Sequence, residues 1–396
     1  MKKITQVLTK LEVADLLKKI PTTKLEEIAK RTEVDWNVSR LRGEVMLDLL
    51  LFGMCRSNRL STRVLEHLYN SSFFNCFSTK DDGHETRHSS IADRLTKIPS
   101  EYFQAIFEWA WEYFSTEISG NKKSKLLSPI HRFDSTMVSI SSALVDWGMK
   151  VGRPPEQGFQ KMQLKVTVGM KGLFPTSVKT FFEQNQLSEE TALYEAIVAA
   201  SPTKKDWVVF DRGLKSRASF KKLDLQDINF VTRGAENCQY KKLRSHQSTT
   251  QLKELDTEET KFIQDSIVYL YSNGKKTVKH EFRLVEIEAV ETGKRIFFIT
   301  NILNLNAGEI AKIYRQRWDI EVFFRFLKQE LNIKHLLNHS QNGVQVQVYV
   351  ALLLAILLTV YKTVNNIPGY KIAKLKFEED LLIHIVKELN RFQNDS

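Results

Sequence analysis

Cysteine is scarce in this chain of 396 residues, and its scarcity narrows the possibilities. The three cysteines, Cys55, Cys76 and Cys238, lie far apart in the sequence. An odd number without paired spacing argues against a disulfide framework and against a structural zinc site. The first ten residues become polar too soon for a signal peptide. These features predict a protein of the reducing cytoplasm.

Glycine and proline are sparse over residues 1–118, which favours helices there. Two short segments, 60–66 and 89–95, combine Ser or Thr caps with arginine and could form a helix-turn-helix-like DNA reader. A plain helical bundle fits these residues equally well. The polar and basic segment 119–125 is the best candidate for a linker.

Strongly apolar runs are rare as well, the main exception being residues 348–360. This run is shorter than the roughly 20 residues that a membrane span needs. We predict a buried helix packed on a sheet, with a membrane span as the minor alternative. Basic residues exceed acidic ones, 58 against 47, which gives a formal net charge of +11. Such an excess suits a polyanionic partner, nucleic acid before membrane.

The most informative segment contains Tyr314, Arg317, Glu321 and Lys328, at spacings of three, four and seven residues. On one continuous helix these side chains fall within an arc of roughly 60°, and apolar residues occupy the opposite face. A carboxylate can hold a divalent metal, and its cationic neighbours can bind phosphates. An ordinary i, i+4 ion pair between Arg317 and Glu321 explains that part of the pattern equally well.

Two further acids lie in predicted strands. Asp134 lies inside the β-branched segment 129–140, and Asp211 directly follows the apolar segment 207–210, which is typical of a buried parallel strand. Open α/β sheets carry their sites at the carboxyl ends of such strands. A cap or turn role is at least as good an explanation for either aspartate alone. Taken with Glu321, the two aspartates favour a metal site.

Together these motifs resemble the DDE transposases of bacterial insertion sequences, in the group with the Y-(2)-R-(3)-E-(6)-K signature, the insertion-sequence-four family. All four signature positions are matched. Asp134 in Phe-Asp-Ser-Thr matches the first acid, and Asp211 in Phe-Asp-Arg-Gly matches the second. The resemblance extends from about residue 128 to residue 335.

The resemblance implies an α/β fold with an RNase H-like catalytic core that is interrupted by a mostly β insertion. An all-helical N-terminal DNA-binding region would precede the core, and C-terminal helices would follow it. The predicted order of strands and helices fits this fold. The expected domains are the helical region 1–118, the first part of the core 126–233, the insertion 234–292, and the second part of the core with the C-terminal helices 293–396.

The implied activity is that of a DNA transposase. It would bind the terminal inverted repeats of its element, cleave DNA at the element ends and join the 3′ ends to target DNA by two-metal phosphoryl transfer. Asp134, Asp211 and Glu321 would be catalytic and would hold two Mg²⁺ ions, with Mn²⁺ as a substitute. Two further arginines are expected to bind DNA. Arg212 directly follows Asp211, and Arg325 lies on the same predicted helix as Glu321. The expected DNA-binding residues are Tyr314, Arg317, Lys328, Arg212 and Arg325.

The expected partner is double-stranded DNA, both transposon ends and target, bound by a homodimer on paired ends, with no membrane involved. The expected location is the bacterial cytoplasm, in association with the nucleoid. Two alternatives stay open: a stand-alone metal-dependent endonuclease, and a catalytically inactive transposase-derived DNA-binding protein. Residues 234–292 contain no tryptophan for stacking a flipped base, which leaves the route of second-strand cleavage open.

Overall fold

The computed structural model describes residues 10–57, 59–78, 84–119, 129–141, 146–153, 161–271, 277–331, 333 and 335–394. The chain divides into two compact units. We call them the helical unit (residues 1–122, 143–145 and 324–396) and the sheet unit (residues 123–142 and 146–323). The predicted linker, apart from Ser119, lies outside the described residues.

The helices of the described residues are α1 Val13–Leu17, α2 Thr22–Thr32, α3 Gly43–Arg56, α4 Thr62–Tyr69, α5 Ser72–Phe77, α6 His88–Lys97, α7 Ser100–Ser119, α8 Glu189–Ala199, α9 Arg217–Leu225, α10 Thr249–Lys253, α11 Ala307–Arg315, α12 Trp318–Gln329, α13 Gln341–Val364 and α14 Tyr370–Asn394. The strands are β1 Ile130–Ser141, β2 Met149–Lys150, β3 Lys161–Lys171, β4 Phe174–Phe181, β5 Trp207–Phe210, β6 Asn229–Arg233, β7 Tyr240–Ser245, β8 Thr260–Tyr271, β9 Thr277–Ala289 and β10 Arg295–Thr300.

In the helical unit, α13 forms the centre. It is apolar on nearly all sides, and such a helix must be enclosed by other elements. It packs against α3, α6, α7 and α14. The helix is long and apolar enough to cross a membrane, but 89% of its apolar window is buried inside the protein. The predicted buried helix is therefore confirmed, although its neighbours within this unit are helices where packing on a sheet was expected.

The regular elements among the described residues before residue 119 are the helices α1 to α7, as the sparse glycine and proline predict. The Ser61 hydroxyl accepts a hydrogen bond from the Val64 amide and caps α4, which packs on α6. Whether these helices read DNA stays a prediction.

In the sheet unit, the described strands form one sheet. β4, β3 and β1 are antiparallel neighbours, β1, β5 and β6 are parallel, and β10, β9, β8 and β7 continue antiparallel beyond β6. The short strand β2 also pairs with β3. The segment predicted as a β insertion therefore extends the same sheet through β7, β8 and β9. The dipeptide Asn273-Gly274, which predicts a hairpin turn from the sequence, lies outside the described residues.

Both faces of this sheet are covered, because successive side chains of a strand point to opposite faces. Val208 and Phe210 of β5 belong to one apolar core, together with residues of α8 and α9. Val209 belongs to another core on the opposite face, together with residues of α10 and α11. Buried parallel strands covered on both faces are typical of α/β folds. The mixed α/β class predicted from the sequence is confirmed.

One expectation about the helices is wrong. The segment from Tyr314 to Lys328 was predicted to be one continuous helix, but α11 ends at Arg315 and α12 begins at Trp318. Between them the amide of Arg317 donates to the carbonyl of Tyr314, and the amide of Ile320 donates to the carbonyl of Arg317. These three-residue spacings tighten the chain and change its direction. Upstream, Asn306 and Glu309 form a capping box that opens α11, as an asparagine followed three residues later by a glutamate predicts.

Candidate active site

Three carboxylates meet at one edge of the sheet. In the parallel pair β1 and β5, Phe133 lies opposite Phe210, and each is followed directly by an aspartate. This register places Asp134 next to Asp211. Ligand oxygens of Asp134, Asp211 and Glu189 all lie within 4.8 Å of one another. The sequence predicted the meeting of the two aspartates but not the presence of Glu189.

Glu189 reaches this edge because of how the chain runs. It is the first residue of α8, which packs against β1, β3 and β4 and leads into β5. A helix that connects back to the start of a strand begins near that strand's carboxyl end, where Asp211 lies. The turn before α8 is held by Lys165 of β3, whose ammonium donates to the carbonyl of Leu187 at 2.7 Å.

Gly213 makes room for Glu189. A Cβ atom at residue 213 would lie 2.8 Å from the Cγ and Cδ of Glu189 and 3.0 Å from the Oδ1 of Asp211. Those distances are too short for an undisturbed contact, so a side chain here would displace the glutamate. The amide of Gly213 donates to the same Oδ1 at 2.7 Å, which fixes the Asp211 carboxylate. An open cleft of about 410 Å³ lies along Ser188, Glu189, Glu190, Asp211, Arg212, Gly213 and Lys215.

The electrostatics of this group are unbalanced. Burial, and then the negative charges of Asp211 and Glu189, raise the pKa of Asp134 to about 7 despite the opposing effects of the Ser135 amide and of Arg317. Burial and Asp211 likewise raise the pKa of Glu189. Like charges this close destabilise one another unless a cation or a proton compensates them.

The donor set fits a hard divalent cation. All three side chains offer carboxylate oxygens, the ligands that Mg²⁺ and Mn²⁺ prefer, and the group includes neither histidine nor cysteine. Glu190, the next residue of α8, accepts a hydrogen bond from the Ser219 hydroxyl at 3.1 Å instead of joining the group.

The third predicted acid, Glu321, has a different partner. It lies in the first turn of α12, and its Oε1 accepts a hydrogen bond of 2.5 Å from Nη2 of Arg317. The guanidinium of Arg317 also lies over the ring of Tyr314, 5.6 Å from its centroid. Burial by itself would lower the pKa of Arg317, but Tyr314, then Glu321 and Asp211, outweigh burial and raise that pKa. Arg317 therefore bonds to Glu321 and also interacts electrostatically with Asp211 and Asp134 of the carboxylate group.

The start of α12 is fixed against the sheet. Arg132 of β1 is buried and lies 3.4 Å from the carboxylate of Asp319 in the first turn of α12. Its guanidinium also donates to the carbonyl of Gly172 at 2.7 Å. Tyr314 at the end of α11 packs against Phe298 of β10, with ring centroids 5.1 Å apart. These contacts explain how Tyr314, Arg317 and Glu321 stay side by side although the helix is broken.

The other predicted DNA-binding residues differ in position. Arg212 follows Asp211 directly, and its Nη2 lies 3.7 Å from the carboxylate of Glu236. Arg325 and Lys328 lie further along α12, in the part that belongs to the helical unit. Arg325 is exposed, and the ammonium of Lys328 lies 5.6 Å from the ring centroid of Phe324.

Two residues of this region, Glu189 and Arg233, are not among the residues predicted from the sequence. From the sequence alone, Glu189 has the ordinary explanation of an acid in a first turn, which is that its charge stabilises the start of the helix. The run of the chain through α8 into β5 was the signal that could have found it. Arg233 ends β6, one position beyond Thr232, the residue that pairs with Phe210. An arginine at the carboxyl end of a parallel strand beside an acid-bearing one was the corresponding signal.

The fold and this carboxylate group define the class of protein: a mixed α/β protein whose acidic site suits a divalent metal. Comparison with known proteins identifies the family. The model of the transposase DDE domain family matches residues 129–358, which is more than half of the chain. The chain therefore belongs to that family, and the predicted relationship to DDE transposases of insertion sequences is confirmed.

Individual relatives are more distant. A Sinorhizobium fredii protein described as the transposase y4zB is 29% identical over 139 residues, 35% of this chain and 38% of the relative. A Synechocystis protein described as a transposase for insertion sequence element IS4SA is 25% identical over 222 residues, 55% of this chain and 56% of the relative. The chain thus covers less than two thirds of either relative. The structure of piggyBac transposase in a synaptic complex with hairpin DNA has a TM-score of 0.44 and 12% identity, over 97% of this chain and 84% of that chain.

Proposed function

We propose that this protein is a DNA transposase of the insertion-sequence-four group. It binds the terminal inverted repeats of its element, cleaves DNA at the element ends and joins the 3′ ends to target DNA. The observation that carries the proposal is the convergence of Asp134 and Asp211, the two family motif acids, with Glu189 at one edge of the sheet. Three carboxylates within 4.8 Å of one another form a ligand set for divalent cations.

The strand order β4-β3-β1-β5-β6, with its antiparallel and parallel pairs, supports an RNase H-like core for residues 126–233. In our proposal residues 234–292 are an insertion that lengthens the sheet, and residues 293–396 complete the core and add the C-terminal helices. Residues 1–118 form the region that recognises the element ends.

Asp134, Asp211 and Glu189 would hold divalent metal, Mg²⁺ or Mn²⁺, and Glu321 would complete the set when DNA binds. Bound metal supplies activation of the attacking hydroxyl and stabilisation of the leaving oxygen in an in-line phosphoryl transfer. Arg317 can exchange its bond to Glu321 for a DNA phosphate, because arginine binds both kinds of oxyanion with the same geometry. That exchange would release Glu321 toward the three carboxylates.

Other cations would hold the DNA backbone near the cut. Tyr314 keeps Arg317 in place through the ring contact and offers its hydroxyl to a phosphate. Arg212, Arg325 and Lys328 would bind further phosphates of the same DNA. A homodimer on paired ends is the expected active form, acting in the bacterial cytoplasm on nucleoid DNA.

A cleavage assay tests the proposal. The substrate is double-stranded DNA that carries the ends of the element encoding this chain, incubated with Mg²⁺ or with EDTA. Nicking at the ends with Mg²⁺ is expected, and it should be lost with EDTA, in Asp211→Asn and in Glu321→Gln. Glu190→Gln, a neighbouring acid outside the carboxylate group, is the matched control and should keep activity.

Joining is scored separately from cutting. Transfer of the cut 3′ ends into a supercoiled target plasmid is expected of a transposase. Release of ends without joining would favour a stand-alone endonuclease. Specific binding of the ends without any cleavage, under Mg²⁺ and Mn²⁺ alike, would favour a transposase-derived DNA-binding protein and would overturn the catalytic roles.

A further inference from the structure

Three cations gather around one exposed carboxylate beside the candidate active site. The Oε1 atom of Glu236 lies 3.7 Å from Nη2 of Arg212 and 3.9 Å from Nη2 of Arg233. It also lies 3.5 Å from the ammonium of Lys294. These distances are longer than a good hydrogen bond. One negative charge thus faces three positive charges that it does not bond closely. We call Arg212, Arg233 and Lys294 the cationic cluster.

Arg233 is the most buried member of the cationic cluster, and two of its nitrogen atoms lack hydrogen-bond partners. Its side chain is only 24% exposed, and its Nε and Nη2 atoms are buried without a hydrogen-bond partner. Burial, followed by the nearby charge of Arg212, lowers its pKa. Leaving charged donors buried and unsatisfied costs free energy. An anionic ligand at this position would supply the missing acceptors.

The cluster lies directly beside the carboxylate group. Thr232 pairs with Phe210 across the parallel strands β6 and β5, so Arg233 and Asp211 occupy neighbouring positions one step further. The Thr232 hydroxyl donates to the carbonyl of Asp211 at 3.1 Å and ties the two strand ends together. The loop that carries Glu236 begins at Gly234, whose amide bonds to the carbonyl of Phe297 at 2.7 Å.

We propose that the cationic cluster is a binding site for a backbone phosphate of DNA next to the reacting bond, and that Glu236 covers this site in the absence of DNA. The inference rests on the proposed function and adds two phosphate ligands, Arg233 and Lys294, to that site. Guanidinium groups bind phosphate oxygens in a bidentate manner, which would satisfy the free donors of Arg233. Glu236 would act as an internal competitor, since a phosphate must displace its carboxylate.

The test measures binding of the full chain to a labelled double-stranded DNA oligonucleotide by fluorescence anisotropy. EDTA is present, so that binding is separated from cleavage. Because Glu236 competes with phosphate, Glu236→Gln should bind DNA about three- to tenfold more tightly than the unmodified chain. Arg233→Gln should bind about tenfold more weakly, with a log–log salt slope smaller by about 0.9, as expected for the loss of one phosphate contact.

Matched charge changes elsewhere in the sheet unit serve as controls. Glu291→Gln removes an exposed acid in the turn before β10, and Lys253→Gln removes an exposed base in the last turn of α10. Both controls should change affinity by less than twofold. Arg233→Lys should recover part of the lost affinity, because it restores the charge without the bidentate geometry.

The outcomes separate this inference from the proposed function. The proposed phosphate site is wrong if Glu236→Gln and Arg233→Gln change the DNA affinity no more than their controls, Glu291→Gln and Lys253→Gln, do. Cleavage by the unmodified chain would still support the transposase in that case. If the unmodified chain neither binds nor cleaves DNA, the proposed function itself fails. If thermal melting shows that Arg233→Gln folds poorly, the test uses Glu236→Gln and Lys294→Gln instead, because both side chains are exposed. Glu236→Gln must then strengthen DNA binding, and Lys294→Gln must weaken it.

Discussion

Arg317 donates a hydrogen bond of 2.5 Å to Glu321, and this pairing gives the third predicted acid a cationic partner outside the group of three carboxylates. Within the described residues, the carboxylates whose oxygens lie within 4.8 Å of one another are Asp134, Glu189 and Asp211. Among the described residues Glu189 therefore takes the place in the carboxylate group that the sequence predicts for Glu321. Metal binding and cleavage should for this reason depend on different glutamates.

Metal affinity without DNA is the first prediction. Glu189→Gln should weaken Mg²⁺ or Mn²⁺ binding by about tenfold or more, about 1.4 kcal/mol, because it removes one charged ligand. Glu321→Gln should change that affinity by less than threefold, because Arg317 already occupies its carboxylate. Isothermal titration calorimetry of the purified chain measures both.

Glu190→Gln is the control for the first prediction, since Glu190 is the next residue and bonds to Ser219 instead. Its metal affinity should equal that of the unmodified chain. Equal losses in Glu189→Gln and Glu190→Gln would mean that a general change of charge is measured. A loss in Glu321→Gln as large as that in Glu189→Gln would contradict the separate role of Arg317.

The pH dependence of stability is the second prediction. Burial and its acidic neighbours raise the pKa of Asp134 to about 7, whereas an aspartate in an unfolded chain titrates near 3.9. Between these values the folded state binds the extra proton, so the metal-free protein loses stability as pH rises from about 4 to about 7. Asp134→Asn cannot ionise and should be more stable than the unmodified chain at pH 8, by on the order of 1–3 kcal/mol.

Urea unfolding at pH 4 and at pH 8, with EDTA present, measures this difference. At pH 4 the Asp134→Asn variant and the unmodified chain should be equally stable, because the folded unmodified chain then carries a protonated, uncharged Asp134. With Mg²⁺ the sign should change at pH 8, because the metal binds the ionised carboxylate and stabilises the folded state. An advantage of Asp134→Asn that is the same at both pH values would argue against a raised pKa of this carboxyl.

Gly213→Ala is the third prediction. The added methyl group would meet Glu189 at 2.8 Å, and the end of that side chain can move aside. We therefore expect a loss of stability below about 1 kcal/mol, typical of a surface change, but a weaker affinity for Mg²⁺. Calorimetry on a double variant tests the cause. In the Glu189→Gln background, Gly213→Ala should cost clearly less affinity than it does in the unmodified chain.

The sequence predicted the parts of this site that depend on local pattern. Asp134 within a strand and Asp211 after a buried parallel strand are read from β-branched and apolar runs, and both positions are as predicted. Their adjacency follows from the parallel pairing of β1 with β5. The capping box of Asn306 and Glu309 is likewise readable from the sequence, because a cap involves only residues that are close in sequence.

What the sequence did not reveal depends on distant contacts. The helical period suggested one helix through Tyr314 and Glu321, but Arg132 and Phe298, far away in sequence, hold α12 and Tyr314 in a broken arrangement. Glu189 joins the site only because α8 packs back on β1 and β3, which periodicity cannot show. Arg233 lies beside Asp211 only because β6 pairs with β5, and that pairing joins two strands that are apart in the sequence.

The fully buried ion pair of Arg283 in β9 and Asp265 in β8 gives the last prediction. The guanidinium donates to the Asp265 carboxylate at 2.9 and 2.7 Å, and also to the carbonyls of Ile302 and Leu305, just before α11. Arg283→Met leaves the aspartate charged and alone in the core, which typically costs about 3–5 kcal/mol. The double change Arg283→Met with Asp265→Leu should recover at least half of this loss, since an apolar pair needs no compensating charge. It should still be about 1–2 kcal/mol less stable than the unmodified chain, because the two carbonyls lose their donor.

Urea unfolding of the three proteins measures these differences. A cost below about 1 kcal/mol for Arg283→Met would show that water reaches the aspartate between β8 and β9 and compensates its charge.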